Sequence, residues 1–317
     1  MEYRVLAVLL GFLLDLVFGD PQWSWHPVRI IGRLIAKSEI PLYKSRFNKR
    51  LSGFLLVILV IGITVIGVFL ILKISRLIHA YLYSITYVLL IYFALAAKSL
   101  AAEAGKVYKA LRKNDIIQAR KSLSMIVARD TEALEEPQVI RATVETVAES
   151  TMDGIISPLF YVFLGGPVLL WAYKAINTLD SMVGYRDDKY MFFGRAAAKI
   201  DAIANFIPAK ITCFFLLIAG YCCGKYRRNS WLWLRRYFFK GKEYNSEATE
   251  AVMASALGIR LGGINFYNSI QARKNFIGDD TYPLKITHIK ESIRIAYVAS
   301  GLCLAMSILF VFLTGGR

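Results

Sequence analysis

The sequence predicts an all-α, polytopic integral membrane protein with about four full spans, two broken or re-entrant apolar stretches and helical cytoplasmic loops. Composition is the first reason. Of 317 residues, 56% are hydrophobic and 20% charged, and the mean hydropathy of +0.46 exceeds what a soluble domain of this size carries. The second reason is run length, since several apolar stretches approach the ~20 residues that a ~30 Å hydrocarbon core requires. The third is charge: 39 basic against 23 acidic residues give a net +16. Beside long apolar runs, that excess points to cytoplasmic loops and membrane lipids rather than to nucleic acid. We read 1–317 as one integral membrane domain. It carries a charged helical segment at 98–153, a broken hairpin with a site-bearing segment at 155–211, and a basic loop at 224–291.

Residues 5–18 form an apolar helix that holds Asp15, follows Glu2 and Arg4, and lacks a small-residue cleavage site. It reads as an uncleaved first helix, short enough to lie in the interface. Residues 54–72 and 81–97 are spans, and 293–313 is another, with Ser300 and Gly301 where a neighbouring helix could approach. Residues 155–176 are interrupted by Pro158 and then by Gly165, Gly166 and Pro167, which end a helix and turn the chain back. Each half is too short to cross. The run 212–223 is shorter still and follows Pro208. Irregular backbone at membrane depth is tolerated only where protein or a wet cavity surrounds it.

Basic residues orient the loops. Arg29, Arg33, Lys37, Lys44, Arg46, Lys49 and Arg50 crowd the first loop, whereas the short 73–80 connection has only Lys73 and Arg76. The first loop is therefore placed in the cytoplasm. Two helices later 98–153 returns to the same side, and the cations of 224–291 place that loop there too. For all to share one side, the two broken stretches must both cross or both return. Both returning is the preferred version, with every polar motif facing the cytoplasm.

Four segments carry candidate chemistry. In GFLLDLVFGDPQWSWHPVRIIG (11–32), Asp15 lies inside the membrane edge, with Asp20, His26 and Arg29 just outside. A carboxylate at that depth needs a partner or a function. The competing reading is a Gly19-Asp20-Pro21 turn that ends one helix, with His26 capping the next. In LSMIVARDTEALEEPQVIRATVETVAESTMD (123–153), Pro137 suits a first helical turn, and Arg141, Glu145 and Glu149 recur at four-residue spacing on one face. By spacing alone this is a solvated salt-bridge stripe. It leads, however, to Asp153 at the mouth of the broken helix, and Arg129, Asp130 and Glu132 lie upstream. Carboxylates gathered there are candidate ligands for Mg²⁺, which prefers oxygen.

In YKAINTLDSMVGYRDDKYMFFGRAAAKIDAIANFIPAK (173–210), Lys174, Asn177 and Ser181 share a helical face beside Asp180. Such a face can bind a phosphate or metal and a polar substrate. Arg186, Arg195, Lys199 and Lys210 then alternate with Asp187, Asp188 and Asp201, a pattern that also suits an ordinary solvated surface. Finally, NSEATEAVMASALGIRLGG (245–263) has a small-residue stripe of Ala251, Ala254, Ser255 and Gly258. The stripe suits close helix packing or a flat ligand, and the closing LGG gives backbone freedom. The cysteines lie singly or as the Cys222-Cys223 pair in apolar runs with no CxxC spacing, and the three histidines are scattered. Neither a disulfide framework nor a zinc cluster is implied. Phosphate-loop, GxGxxG, HExxH and GxSxG strings are absent.

Together, GDPQWSWHPVRIIG, LSMIVARDTEAL, RATVETVAESTMDGIISPLFY, YKAINTLDSMVGYR and ALGIRLGG resemble the CobD/CbiB family of cobalamin biosynthesis, the adenosylcobinamide-phosphate synthases. The resemblance runs in order from about Leu13 to Gly263. It implies a multi-pass cell-membrane enzyme, an acid-amine ligase, that joins (R)-1-amino-2-propanol O-phosphate or ethanolamine phosphate to the propionate carboxyl of adenosylcobyric acid. It also implies ATP as cosubstrate, Mg²⁺, an acyl phosphate route, and other enzymes of the pathway as partners. Carried onto this chain, the motifs make Glu145, Glu149, Asp153 and Asp180 catalytic candidates. Asp130, Glu149 and Asp180 become metal candidates, and His26, Arg29, Arg129, Arg141, Lys174, Asn177, Arg186 and Asp201 substrate-binding candidates.

The chain departs from the family pattern in places. Asp201 is followed by Ala202 where a second Asp is common, and Lys210 replaces an Arg. Glu247, Ala248 and Thr249 replace a Gly-aromatic-Pro element. These positions bear on aminoalcohol specificity. Two other readings compete with the enzyme. A non-enzymatic membrane regulator of the AmpE type is expected to lose the carboxylate and Asn motifs, which this chain keeps. A corrinoid transporter needs a polar path and inverted repeats, and no repeat is found.

Overall fold

The structure, a computed structural model, describes residues 2–21, 23–185, 187–225, 228–267 and 269–313. In chain order its elements are α1 (Glu2–Phe18), α2 (Pro27–Tyr43), α3 (Lys49–Ile78), α4 (Ala80–Tyr92), α5 (Ala97–Arg112), α6 (Ile116–Ser124) and α7 (Glu136–Thr151). A π-helical turn at Met152–Ile156 leads into α8 (Ser157–Val183), α9 (Tyr190–Phe193), α10 (Arg195–Ala204), α11 (Phe206–Cys222), α12 (Arg228–Phe238) and α13 (Asn245–Leu257). An antiparallel hairpin, β1 (Arg260–Tyr267) with β2 (Ile270–Gly278), precedes α14 (Thr287–Leu313).

Four helices are long and apolar enough to cross a membrane: Lys49–Ile78, Ala80–Arg112, Glu136–Val183 and Thr287–Leu313. The number expected is met with one change of membership. Helix α1 has 17 residues, and its place is taken by the stretch that contains α8. The two interrupted runs are broken as their glycines and prolines dictate. Within α8, Gly165 (φ −149°, ψ 23°) and Gly166 (φ 67°, ψ −163°) leave helical geometry just before Pro167; the second conformation is essentially open to glycine alone. Helices α10 and α11 meet at 50° as a broken span or re-entrant loop. Pro208 lies in the first turn of α11, where a missing N–H costs nothing.

The chain divides into two compact units. One comprises Met1–Ala96, Ser157–Phe206 and Ser307–Arg317. There α3 packs on α2 and α8, α1 on α4, and α10 on α8. Close approach depends on missing side chains: a Cβ on Gly53 would sit 1.7 Å from the Phe193 carbonyl oxygen, and one on Gly11 would sit 2.7 Å from the Ile91 side chain. The buried Trp171 indole donates to the Leu90 carbonyl at 2.9 Å, satisfying both an apolar-site N–H and one of the orphan acceptors at the end of α4. Ile58, Ile63, Ile66 and Phe69 of α3 stay exposed, as lipid-facing residues should.

The other unit comprises Ala97–Ile156 and Ile207–Met306. Its centre is α13, buried from Ala248 through Leu257 and packed on α7, α12 and the hairpin. The small-residue stripe therefore serves packing: Ala251, Ala254 and Ser255 are buried, and the Ala254 Cβ lies against Gly278. The hairpin is the departure from the helical loop expected at 224–291. Its strands read RLGGINFY and IQARKNFIG, rich in the branched and aromatic residues that favour a pleated surface.

A candidate active site built from a buried ionic cluster

The four-residue spacing of Arg141, Glu145 and Glu149 survives into α7, but the stripe is buried rather than solvated. Glu145 is the hub. Its Oε2 meets Arg129 Nη2 at 2.7 Å, its Oε1 accepts the Gly262 amide at 2.9 Å, and Arg141 Nε stands 3.8 Å away. The two guanidiniums converge on Asn265, whose Oδ1 accepts from Arg129 Nη1 at 2.8 Å and Arg141 Nη2 at 2.9 Å. Arg141 also donates to the carbonyls of Gly262 and Ile264. Thus α7 and the loop before it grip the first strand of the hairpin through charge-assisted bonds.

Glycine makes this grip possible. Gly262 (φ +84°) lies within a register shift of β1 between Leu261 and Gly263 (φ +94°). A Cβ on Gly263 would meet Arg141 Nη1 at 2.8 Å, and one on Gly262 would lie 2.0 Å from the Asn275 carbonyl oxygen. Asp130 holds the far end of the hairpin, its amide donating to the Phe266 carbonyl at 2.9 Å and its Oδ2 accepting from the Ser269 amide at 2.7 Å.

Two members of the cluster had no part in the sequence reading. Glu250 projects from α13 and is 1% exposed. Its Oε1 meets Lys274 Nζ of β2 at 3.3 Å, while its Oε2 is buried with no hydrogen-bond partner among the described residues. Burial pushes its carboxyl up to about 8, with Lys274 and Arg129 pulling down and Glu145 and Glu149 pushing up. Burial opposes the Lys274 charge, but Glu250, Glu149 and Glu145 outweigh it and hold the ammonium above its ordinary range. Burial also opposes the charge on Arg129, and Glu145 more than restores it. Lys274 is 42% exposed, so it is the cation through which the cluster meets solvent. Glu149 stands nearby, accepting from Ser246 Oγ at 2.8 Å, and Asp153 lies in the π-helical turn that follows α7. Such turns recur at functional sites.

The remaining candidates belong to the first unit. His26 Nε2 pairs with Asp20 Oδ1 at 2.7 Å. Its backbone takes the N-cap position of α2 without a side-chain cap bond, so the turn-and-cap reading describes the backbone and the ion pair describes the ring. Arg29 is exposed. On α8, Lys174 is buried, and Asn177 and Asp180 are partly exposed. Asp180 Oδ1 occupies the space over Gly184 where a Cβ would lie. Asp201 accepts from Asn205 Nδ2 at 3.1 Å, and Asn205 Oδ1 accepts from Ser157 Oγ at 2.7 Å and Tyr173 Oη at 3.0 Å. Asn205 is thus a buried hub that the sequence reading left out, although it opens the Asn-x-x-Pro element. Arg186 lies outside the described residues.

Among the described residues, no group of three His, Cys, Asp or Glu side chains is placed to hold a metal ion. Asp130 and Glu149 of the second unit have the partners given above, and Asp180 belongs to the first.

Fold and site together define a helical multi-pass membrane protein with a buried ionic cluster under a strapping hairpin. A family model, CobD/Cbib protein, matches residues 8–296, and the chain belongs to the CobD/CbiB family. It is 42% identical over 301 residues to "Cobalamin biosynthesis protein CobD" of Geobacter metallireducens, covering 95% of each chain. It is 40% identical over 308 residues to the protein of that name from Clostridium perfringens, covering 96% of this chain and 97% of the relative. It is 42% identical over 313 residues to "Cobalamin biosynthesis protein CbiB" of Salmonella typhimurium, covering 96% of each. No solved structure matches the chain.

Proposed function

We propose that the chain is a cell-membrane enzyme of cobalamin biosynthesis that forms an amide between the propionate carboxyl of adenosylcobyric acid and (R)-1-amino-2-propanol O-phosphate or ethanolamine phosphate. The product is adenosylcobinamide phosphate. Family membership and the names of the relatives support the pathway. The observation that carries the chemistry is the buried Glu250, 1% exposed and 3.3 Å from the half-exposed Lys274, with its carboxyl pushed up to about 8 by burial.

A carboxylate and an ammonium do not condense at neutral pH because both are ionised. ATP with Mg²⁺, when bound, supplies the phosphoryl group that makes a carboxyl oxygen a leaving group, as in an acyl phosphate. Mg²⁺ keeps phosphate and water ligands and takes one or two carboxylates from the protein. Asp130 and Glu149 of the second unit, and separately Asp180 of the first, are the residues proposed to supply such carboxylates. Lys274 draws in the anionic end of a substrate, and this uncovers Glu250. The Glu250 carboxylate takes one proton from the ammonium, and the amine attacks the activated carbonyl carbon. The C–N bond forms, the C–O bond to phosphate breaks with its electron pair, and the second nitrogen proton leaves with that phosphate.

Glu149, Asp153 and Asp180 are the other carboxylates proposed near the reacting groups. Glu145, Arg129 and Arg141 bind one another and the hairpin, so the role proposed for them in the reaction is to position it. His26, Arg29, Lys174, Asn177, Arg186 and Asp201 are proposed to orient substrate. The test is growth of a cell lacking this gene on adenosylcobyric acid or on adenosylcobinamide. Rescue of cobalamin formation by adenosylcobinamide alone is expected; rescue by both or by neither points to transport or to AmpE-like regulation.

A further inference from the structure

A polar cavity lies in the unit that carries the ionic cluster, between the end of α11 and the start of α14. Its volume is about 370 Å³, and Lys225, Tyr282, Lys285, Thr287, His288 and Glu291 line it. Local backbone geometry fixes each wall. Helix α11 ends in a left-handed Gly224 (φ +70°), with the Lys225 amide donating back to the Gly220 carbonyl at 2.8 Å, a Schellman closure. That closure sends Lys225 Nζ to Glu291 Oε1 of α14 at 2.7 Å. The amides of Thr281 and Tyr282 donate to the Gly258 carbonyl at 3.2 and 2.9 Å, tying the opposite wall to the end of α13.

His288 is the informative residue. It is 5% exposed, and its Nδ1 accepts the Lys285 amide at 3.0 Å. That bond fixes the tautomer, so Nε2 carries the hydrogen. The Nε2–H has no protein acceptor among the described residues, and its ring lines the cavity. The donor is open to the cavity that its ring lines, where a ligand oxygen would accept from it. Two ammonium groups, one carboxylate and a neutral imidazole leave the lining with a positive excess.

We propose that this cavity binds a phosphate group, with His288 Nε2–H and the ammonium groups of Lys225 and Lys285 as its donors. A tetrahedral oxyanion accepts from three separate directions, and lysine is a point-charge phosphate binder. The cavity opens beside the first turn of α14, a membrane-crossing candidate, so one chemistry has two sources: a phospholipid headgroup or a soluble phosphate ester. The site does not depend on the reaction proposed above and stands or falls separately from it.

The full-length protein, stripped of lipid in a phosphate-free detergent micelle and labelled with ¹⁵N-histidine, is titrated with inorganic phosphate and O-phosphoethanolamine. In a parallel arm it is titrated with short-chain phosphatidylglycerol. A saturable shift of the His288 ring signal, identified by its loss in His288→Gln, is expected. Lys285→Gln, an exposed change that leaves helix packing intact, should weaken the binding about tenfold or more, as should Lys225→Gln. Saturation by the soluble probes assigns a soluble ester, and saturation by the lipid alone assigns a headgroup. No saturable shift with any probe, or an unchanged response in both lysine variants, overturns the site.

Discussion

Glu250 carries its carboxyl up to about 8, and both activity and stability should report it. A base must be deprotonated to act, so the rate of amide formation should rise with pH to a plateau with a midpoint near 8. Glu250→Gln should lose that dependence together with a factor of about 10²–10⁴ in rate. The stability effect has the opposite sense. The folded value lies above the ~4.3 of an unfolded glutamate, so between those values the native state holds a proton that the unfolded chain has lost. Its contribution is full below about 4.3 and fades as pH rises through about 8. Glu250→Gln should flatten that decline in thermal melts of the solubilised protein. A variant with wild-type rate and an unaltered pH profile would remove Glu250 from the chemistry. The residue was hard to see in sequence: Arg141, Glu145 and Glu149 announce a shared helix face by their spacing, whereas the Glu250 partner lies 24 positions away on a strand. Only its setting, a carboxylate in an alanine-rich helix, gave a signal.

The hairpin is the element that converts a helix face into an enclosed cluster. Its two strands stay paired up to Tyr267 and Ile270, and the close connection of a hairpin sets register. A net charge taken over 224–291 hides the branched and aromatic residues of RLGGINFY and IQARKNFIG that favour strands. The LGG string was legible as backbone freedom, but its purpose needed the structure, because the atoms that require the space come from Arg141 and Asn275. Gly262→Ala forces a left-handed φ on an alanine and meets a backbone oxygen, a cost of about 1–3 kcal/mol. Hydrogen exchange should then show loss of protection across β1 and β2 while α3 and α8 keep theirs, and the cluster should lose activity with it. Retained protection of the strands would mean that the Arg141 and Glu145 grip is dispensable. The contrast with α8 is instructive. There the signal is local, since Gly165, Gly166 and Pro167 break the helix through their own conformational limits.

Across the whole molecule, spans were legible because a bilayer sets a length that one helix must meet alone. The stretch containing α8 also meets that length, but Gly165 and Gly166 break its helix midway, and a broken stretch of this length suits either a crossing or a return. Orientation is a separate matter from span number. The basic residues of 29–50 and 225–242 favour one side of the membrane, and the phosphorylated substrate proposed above is expected on the cytoplasmic side. We therefore expect the break at Gly165 and Gly166 to return the chain to the cytoplasm. The native Cys222 is exposed, so the test requires a cysteine-free background. Single cysteines placed at Gly165 and at Asp187 should then resist a membrane-impermeant thiol reagent added to intact cells and react once the membrane is opened. Labelling of Asp187→Cys from outside would make the stretch a full crossing. The second broken run would then have to cross as well for the two basic loops to share a compartment.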